Sequence, residues 1–258
     1  MSWDWGTGVM GLAVGFLVGL TGVGGAALLT PVLVLIGIHP SVAVGTDLLY
    51  NSITKLFGMF QHARQRTVHW RLVGHFAMGS IPGAAVAILT LKLFNAYVHS
   101  QESLIKHALG VVLVVVALVT LAKPLLDRKF ERLEAFQDRP VEHKKALTVS
   151  IGFALGFVVG LTSVGSGSLF ALALIYLYRL KGSQIVGTDI AHAFFLVTAA
   201  ALMHAEMGNV DYGLTLNLLA GSIPGVLAGS AVSARVPTGP LRAVVASIIL
   251  LSGIKLLG

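Results

Sequence analysis

Three short motifs occur twice in this chain, in the same order and at an almost constant spacing. Gly15-Phe16-Leu17-Val18-Gly19-Leu20-Thr21-Gly22-Val23-Gly24-Gly25 returns as Gly156-Phe157-Val158-Val159-Gly160-Leu161-Thr162-Ser163-Val164-Gly165-Ser166, 141 residues on. Val44-Gly45-Thr46-Asp47 returns as Val186-Gly187-Thr188-Asp189, and Gly79-Ser80-Ile81-Pro82-Gly83 as Gly221-Ser222-Ile223-Pro224-Gly225, each 142 residues on. The duplication covers nearly all 258 residues. Any fold for this chain must therefore be built from two copies of one unit.

The copies are apolar. Residues of the hydrophobic class make up 55% of the chain and charged residues 11%, against the roughly 25% charge of a soluble domain. Several runs approach the roughly 20 residues that a membrane helix needs. These values imply an all-α integral membrane protein, and a doubled sequence in such a protein is the mark of repeat-built transport folds. Met1-Ser2-Trp3-Asp4-Trp5 carries no basic n-region, so it reads as an interfacial anchor rather than a cleaved leader. With no cysteine, disulfides and thiolate chemistry are excluded. The net charge of +7 does not point to nucleic acid, because the basic residues sit in short loops between apolar spans.

Each copy divides into five apolar segments, near 6–20, 26–38, 41–62, 70–94 and 103–122, then 146–161, 168–178, 183–204, 211–234 and 239–257. The last three of each set are long enough to cross. The first two have only about 11–16 residues each and meet at a Gly/Ser/Thr-rich break, which reads as a re-entrant or broken helical hairpin. Lys and Arg mark the cytoplasmic side. Arg64, Arg66 and Arg71 follow segment three of the first copy, whereas the equivalent loop of the second copy, 205–212, has no Lys or Arg. The linker 123–145 is strongly basic. The copies are therefore expected as inverted-topology repeats, 1–122 and 146–258, with six full spans, four half-helices, a cytoplasmic linker and both termini outside. The location is a bacterial-type plasma membrane, multi-pass. The linker reads as a solvated connector, with Leu126, Phe130 and Leu133 at the spacing of a short surface helix.

Two sets of residues are expected to carry function. The hairpin tips hold Thr21, Gly22, Gly24 and Gly25 in one copy and Thr162, Ser163, Gly165 and Ser166 in the other. Glycine allows close backbone approach, and a half-helix starting at each tip would point free N–H groups and a positive dipole end at mid-depth, which suits an anion. Thr46 and Thr188 are expected to line the cavity. The second set is charged: Asp47, Asn51 and Lys55 fall at i, i+4 and i+8, and Asp189 is followed by His192 three residues on. Ionisable groups inside spans are costly to bury and are assigned here to charge tuning, coupling or gating. No metal-ligand cluster, cofactor motif or nucleophile–base pair is visible.

At these residues the chain resembles the TauE/SafE family of membrane permeases, also described as sulfite exporters. The resemblance rests on Gly22-Val23-Gly24-Gly25 with Pro31, Ala43-Val44-Gly45-Thr46 and Pro82-Gly83, repeated as Gly165-Ser166-Gly167, Val186-Gly187-Thr188 and Pro224-Gly225. The chain departs from the family pattern in its shortened glycine run and in the Asp after each Gly-Thr. The resemblance implies export of sulfite or a small organosulfonate such as sulfoacetate by alternating access between the repeats. The expected partners are this small anion and the lipid bilayer, with no nucleic acid and no cofactor, and a homodimer is allowed. A proton- or cation-coupled importer of a small anion is the alternative reading, and an intramembrane enzyme a remote one.

Overall fold

A computed structural model describes residues 5–21, 26–98, 101–130, 137, 140–233 and 238–258. All regular structure among them is helical. The helices are α1 (Trp5–Thr21), α2 (Ala26–Leu35), α3 (Pro40–Arg64), α4 (Trp70–Val98), α5 (Gln101–Phe130), α6 (Lys145–Thr162), α7 (Ser168–Leu177), α8 (Gly182–Glu206), α9 (Tyr212–Ser233) and α10 (Thr238–Leu257). A 3-10 turn, Val141–Lys144, precedes α6. Each of the ten segments expected from the sequence is a helix. The charged stretch after 122 does not begin a separate element: α5 continues to Phe130. Pro40 at the first turn of α3 supplies a preset φ where no intrahelical donor is needed.

Five segments are long and apolar enough to span a membrane: Trp70–Leu93, Ser103–Ala122, Val141–Thr162, Gly182–Glu206 and Tyr212–Val232. This differs from the expected six at three places. α3 has 25 residues, but Asp47, Lys55 and Arg64 make it too polar to qualify. The turn before α6 lengthens an expected half-span to 22 residues. In α10 the described apolar stretch, Ala243–Leu257, is shorter than a full span.

Between the copies, contacts occur in reciprocal pairs. α1 lies along α9 in the same direction, with Gly11 on Leu218, Gly15 on Ser222 and Gly19 on Val226. Its twin is α6 on α4, with Gly152 on Phe76, Gly156 on Ser80 and Gly160 on Ala84. A Cβ added at Gly15 would lie 2.5 Å from the carbonyl oxygen of Ser222, and one at Gly156 2.1 Å from that of Ser80. These backbones touch, as small residues permit where no hydrophobic force draws helices together in lipid. Pro82 and Pro224 lie on the exposed side of α4 and α9, while Gly79, Gly83, Gly221 and Gly225 face the packed helix. The Ser-Ile-Pro-Gly motif is thus half of a glycine seam.

The third helices of the two copies also pack together, but in opposite directions. Gly45 lies on Asn209, Ser52 Oγ is 2.7 Å from Thr198 Oγ1, and Gly58 lies on Ile190. The reciprocal contact sets Gly187 on Thr67. α5 packs on α10 in the same manner of like on like. The apolar core falls into two clusters. One joins Leu28, Leu29 and Leu33 of α2 to Leu109 and Leu113 of α5 and to Val164 at the second hairpin tip. The other joins Val44 and Leu48 of α3 to Phe76 of α4, Val159 of α6 and Phe170 of α7.

The seam predicts a sharp position dependence. Gly156→Ala is expected to cost about 1–3 kcal/mol through overpacking against α4. Gly74→Ala, which meets nothing within 4 Å, is expected to leave stability unchanged or slightly raised. Thermal unfolding of the two purified variants in detergent checks the contrast.

Candidate functional site

The Gly-Thr motifs form two clasps between the copies. Thr46 Oγ1 accepts the backbone N–H of Asp211 at 3.1 Å, just before α9. Thr188 Oγ1 accepts the backbone N–H of His69 at 3.0 Å, just before α4. The glycine in front of each threonine makes room: a Cβ at Gly45 would lie 2.0 Å from the Asn209 carbonyl, and one at Gly187 2.6 Å from Thr67 Oγ1. Both hydroxyls, expected to line a cavity, are committed to these backbone bonds. A helix-start N–H has no intrahelical acceptor, and a threonine on a neighbouring helix supplies one.

The charged face of α3 begins at the residue after Thr46. Asp47 is fully buried. Its Oδ2 accepts from Thr30 Oγ1 at 2.5 Å and its Oδ1 from Asn51 Nδ2 at 2.6 Å. Asn51 also donates to the Asp47 carbonyl at 2.9 Å. Ser163, at the tip of the second hairpin, is the further side chain beside this carboxylate, and its buried hydroxyl has no hydrogen-bond partner among the described residues. Thr30 belongs to the first hairpin and Ser163 to the second, so both hairpins converge on Asp47. Lys55 reaches the same tip, donating from Nζ to the Ser166 carbonyl at 3.3 Å. It acts electrostatically on both Asp189 and Asp47, on Asp189 more strongly.

The tip itself is tightly wound. Ser163 sits at φ 61° and Gly165 at φ 99°. A serine in the left-handed region is held there by its surroundings. Its N–H bonds the Val159 carbonyl at 2.7 Å, closing α6. Thr162 Oγ1 donates to Val158 O at 2.8 Å and accepts the Val164 N–H at 3.2 Å, so this hydroxyl serves the turn. Ser163 and Ser166 are buried. In the first hairpin, Thr21 ends α1, and Gly22, Gly24 and Gly25 lie outside the described residues.

His192 packs its ring at a tilt against Phe170, centroids 4.2 Å apart, and against Phe76 at 5.6 Å. Its Nε2 pairs with Ser80 Oγ at 2.8 Å, and Nδ1 is buried without a partner. The same bond exists in the other copy with a different residue: Tyr50, 142 residues before His192, donates to Ser222 Oγ at 2.6 Å. His204 is wholly buried, and its Nε2 donates to the Gly160 carbonyl at 3.0 Å. Sequence reasoning missed Thr30, Tyr50, Ser80 and Ser222 as members of this network. Thr30 was detectable as the one hydroxyl in an otherwise apolar half-helix, and the serines by their place in the doubled Pro-Gly motif. Lys144 was counted as a linker charge, yet it is buried, donating to the carbonyls of Leu177 at 2.8 Å and Gln137 at 3.0 Å. A cation on the last carbonyls of α7 is a favourable helix end. Among the described residues no group of His, Asp or Glu could hold a metal ion.

An all-helical chain with five candidate spans and a polar, charged centre between its two halves is a multi-pass membrane transport protein. The sulfite exporter TauE/SafE family profile matches residues 7–256, and the chain belongs to this family. It is 61% identical over 249 residues to the probable membrane transporter protein YjnA of Bacillus subtilis, covering 96% of this chain and 98% of that one. It is 26% identical to the probable membrane transporter protein YunE of the same organism, over 96% of this chain and 95% of that one. A probable membrane transporter protein of Xylella fastidiosa is 26% identical, over 86% of this chain and 82% of its own. No solved structure matches.

The two aspartates differ in their partners, which predicts opposite mutational signs. Asp47→Asn replaces one of two buried acceptor oxygens with a donor that faces a donor, and is expected to cost about 1.5–3 kcal/mol of stability. Asp189 has a buried oxygen without a donor, so Asp189→Asn is expected to leave the melting temperature unchanged or raised. Melting both variants beside the parent protein reads the signs directly.

Proposed function

We propose that this chain is a secondary transporter that exports a small sulfur-containing anion, sulfite or a small organosulfonate such as sulfoacetate, by alternating access at a site between two inverted repeats. The observation that carries the reading is the convergence of both hairpins on the Asp47–Lys55 face of α3. Three further features support it. α3 runs antiparallel to its own repeat equivalent α8, while α1 runs parallel to α9. Helices joined by the short loops around Gln65 and Gly208 run in opposite directions, so α9 opposes α8 and shares the direction of α3. α1 then also shares the direction of α3, which requires α2 to turn back between them. This is the geometry of a re-entrant hairpin, and antiparallel equivalents are the geometry of inversion.

At the tip, Ser163 and Gly165 offer a hydroxyl without a hydrogen-bond partner among the described residues and a left-handed glycine, just before the start of α7 and beside Lys55. The first tip, Thr21 to Gly25, is the matching half of this site in the proposal. Thr46, Thr188 and Thr162 hold the frame and are left out of the binding set. Asp47, Asn51, Lys55, Asp189 and His192 set the charge around the substrate. With the linker cytoplasmic and both termini outside, an anion leaving a negative interior gains roughly 2.3 kcal/mol per charge per 100 mV.

Ser163→Ala removes only the unpartnered hydroxyl, so folding is expected to be retained while sulfite efflux from loaded proteoliposomes falls about tenfold, a loss near 1.4 kcal/mol of binding. Parental efflux in this variant would reject the site.

A further inference from the structure

The duplication supplies an internal control for the charged centre. Asp47 and Asp189 are repeat equivalents, but their surroundings are not. Thr30 and Asn51 donate to Asp47; the position matching Asn51 is Ala193, and the one matching Thr30 is Ala171 at the first repeat offset or Leu172 at the second, none of which has a side-chain donor. Asp189 is 8% exposed, and its Oδ1 has no hydrogen-bond partner among the described residues. Burying a carboxylate without donors is expensive unless a charge offsets it or a proton neutralises it.

One charge is available. Of the titratable groups on α8 and the helices packed against it, Lys55 is the one that acts on Asp189. Among the described residues, Asp47, Tyr50 and His62 of α3, His75 of α4, Lys145 of α6, and His192 and His204 of α8 itself make no hydrogen bond to Asp189 Oδ1 and no ion pair with it. Yet Lys55 is not tied to Asp189. Among the described residues no ion pair within 4.0 Å joins them, and Nζ is bonded to the Ser166 carbonyl at the hairpin tip. Lys55 also lies near the centre of the α3–α8 crossing. Its own equivalent is Val197, so a single cation serves two carboxylates and the tip.

We propose that Asp189 is a proton-binding group, and that an anion at the second hairpin tip and one proton on the Asp189 carboxylate occupy the centre together. This rests on the transport reading above. An anion at the tip takes Lys55, already in contact there, as its counter-charge. Asp189 is then left buried with neither donor nor counter-charge, and a proton from the aqueous side bonds to its carboxylate oxygen. When the anion departs, Lys55 is again free to offset Asp189, and the proton returns to water. Asp47 needs no proton at any stage, because its two donors stay in place. The proton cancels one charge of the anion, so a dianion still carries one net charge outward with the voltage, while a monoanion crosses as a neutral pair that follows the two concentration gradients.

The test uses the full-length protein in detergent, titrated calorimetrically with sulfate, thiosulfate and methanesulfonate, none of which takes up protons near neutral pH. Two buffers of different ionisation enthalpy report the protons exchanged. The expected result is an uptake of about one proton per bound anion in the parent, none in Asp189→Asn, and in the parent an affinity that falls about tenfold per pH unit once Asp189 is ionised in the free protein. Binding without proton uptake in the parent overturns the proposal and leaves the anion site standing. Uptake that persists in Asp189→Asn overturns the assignment to Asp189. Failure of all three anions to bind removes the transport reading and this proposal with it. Should Asp189→Asn not fold, methanesulfonate flux through the parent protein in vesicles decides. Flux indifferent to an imposed potassium–valinomycin potential supports co-binding of a proton, and flux that follows the potential overturns it.

Discussion

Two helix pairs in direct backbone contact hold this molecule together. α1 on α9 and α6 on α4 approach so closely that a single added methyl group at Gly15 or Gly156 would overlap a carbonyl oxygen. Lipid offers no hydrophobic drive for such pairs, so close van der Waals contact along small residues must supply the association. Each pair joins the first helix of one copy to the fourth of the other. Neither copy can therefore complete its packing alone, and Thr30 of α2 and Ser163 at the end of α6 are carried to the same buried carboxylate. The Thr46 and Thr188 clasps fix the other ends of the same elements by giving an acceptor to the chain entering α9 and α4.

Within this frame the centre is asymmetric where the scaffold is reciprocal. The bond from the third helix to the Ser-Ile-Pro-Gly serine is made by Tyr50 on one side and by His192 on the other. The first aspartate has two donors, and the second has apolar residues at the matching positions. A duplicated scaffold fixes backbone positions twice and leaves side chains free to diverge, so a difference between equivalent residues marks a place where the two halves do different work. Lys55, near the crossing of α3 and α8, is the sharpest case, because one side chain there stands in for two.

Much of this was legible in the sequence. Segment boundaries followed from apolar run length, and the hairpin break from Gly and Ser where a span should continue. The pairing of Asp47, Asn51 and Lys55 on one face followed from helical spacing. Other features depended on partners far along the chain. Nothing local shows that the Thr46 hydroxyl meets the N–H of Asp211, that Thr30 reaches Asp47, or that Lys144 folds under α7 instead of standing in solvent. The count of spans shifted for a physical reason as well: polar residues that serve the centre make α3 look unlike a membrane helix, though its place between α8 and α2 requires it to run through the core.

The central claim is that equivalent loops of the two copies lie on opposite faces of the membrane. The chain contains no cysteine, so single cysteines can be introduced without background. Gln65 and Glu206 are both exposed, at the ends of α3 and α8. Labelling of intact cells with a membrane-impermeant maleimide is predicted to modify Glu206→Cys at once and Gln65→Cys only after permeabilisation. Equal labelling of both positions from one side would contradict inversion, and with it a substrate site formed between opposed hairpins.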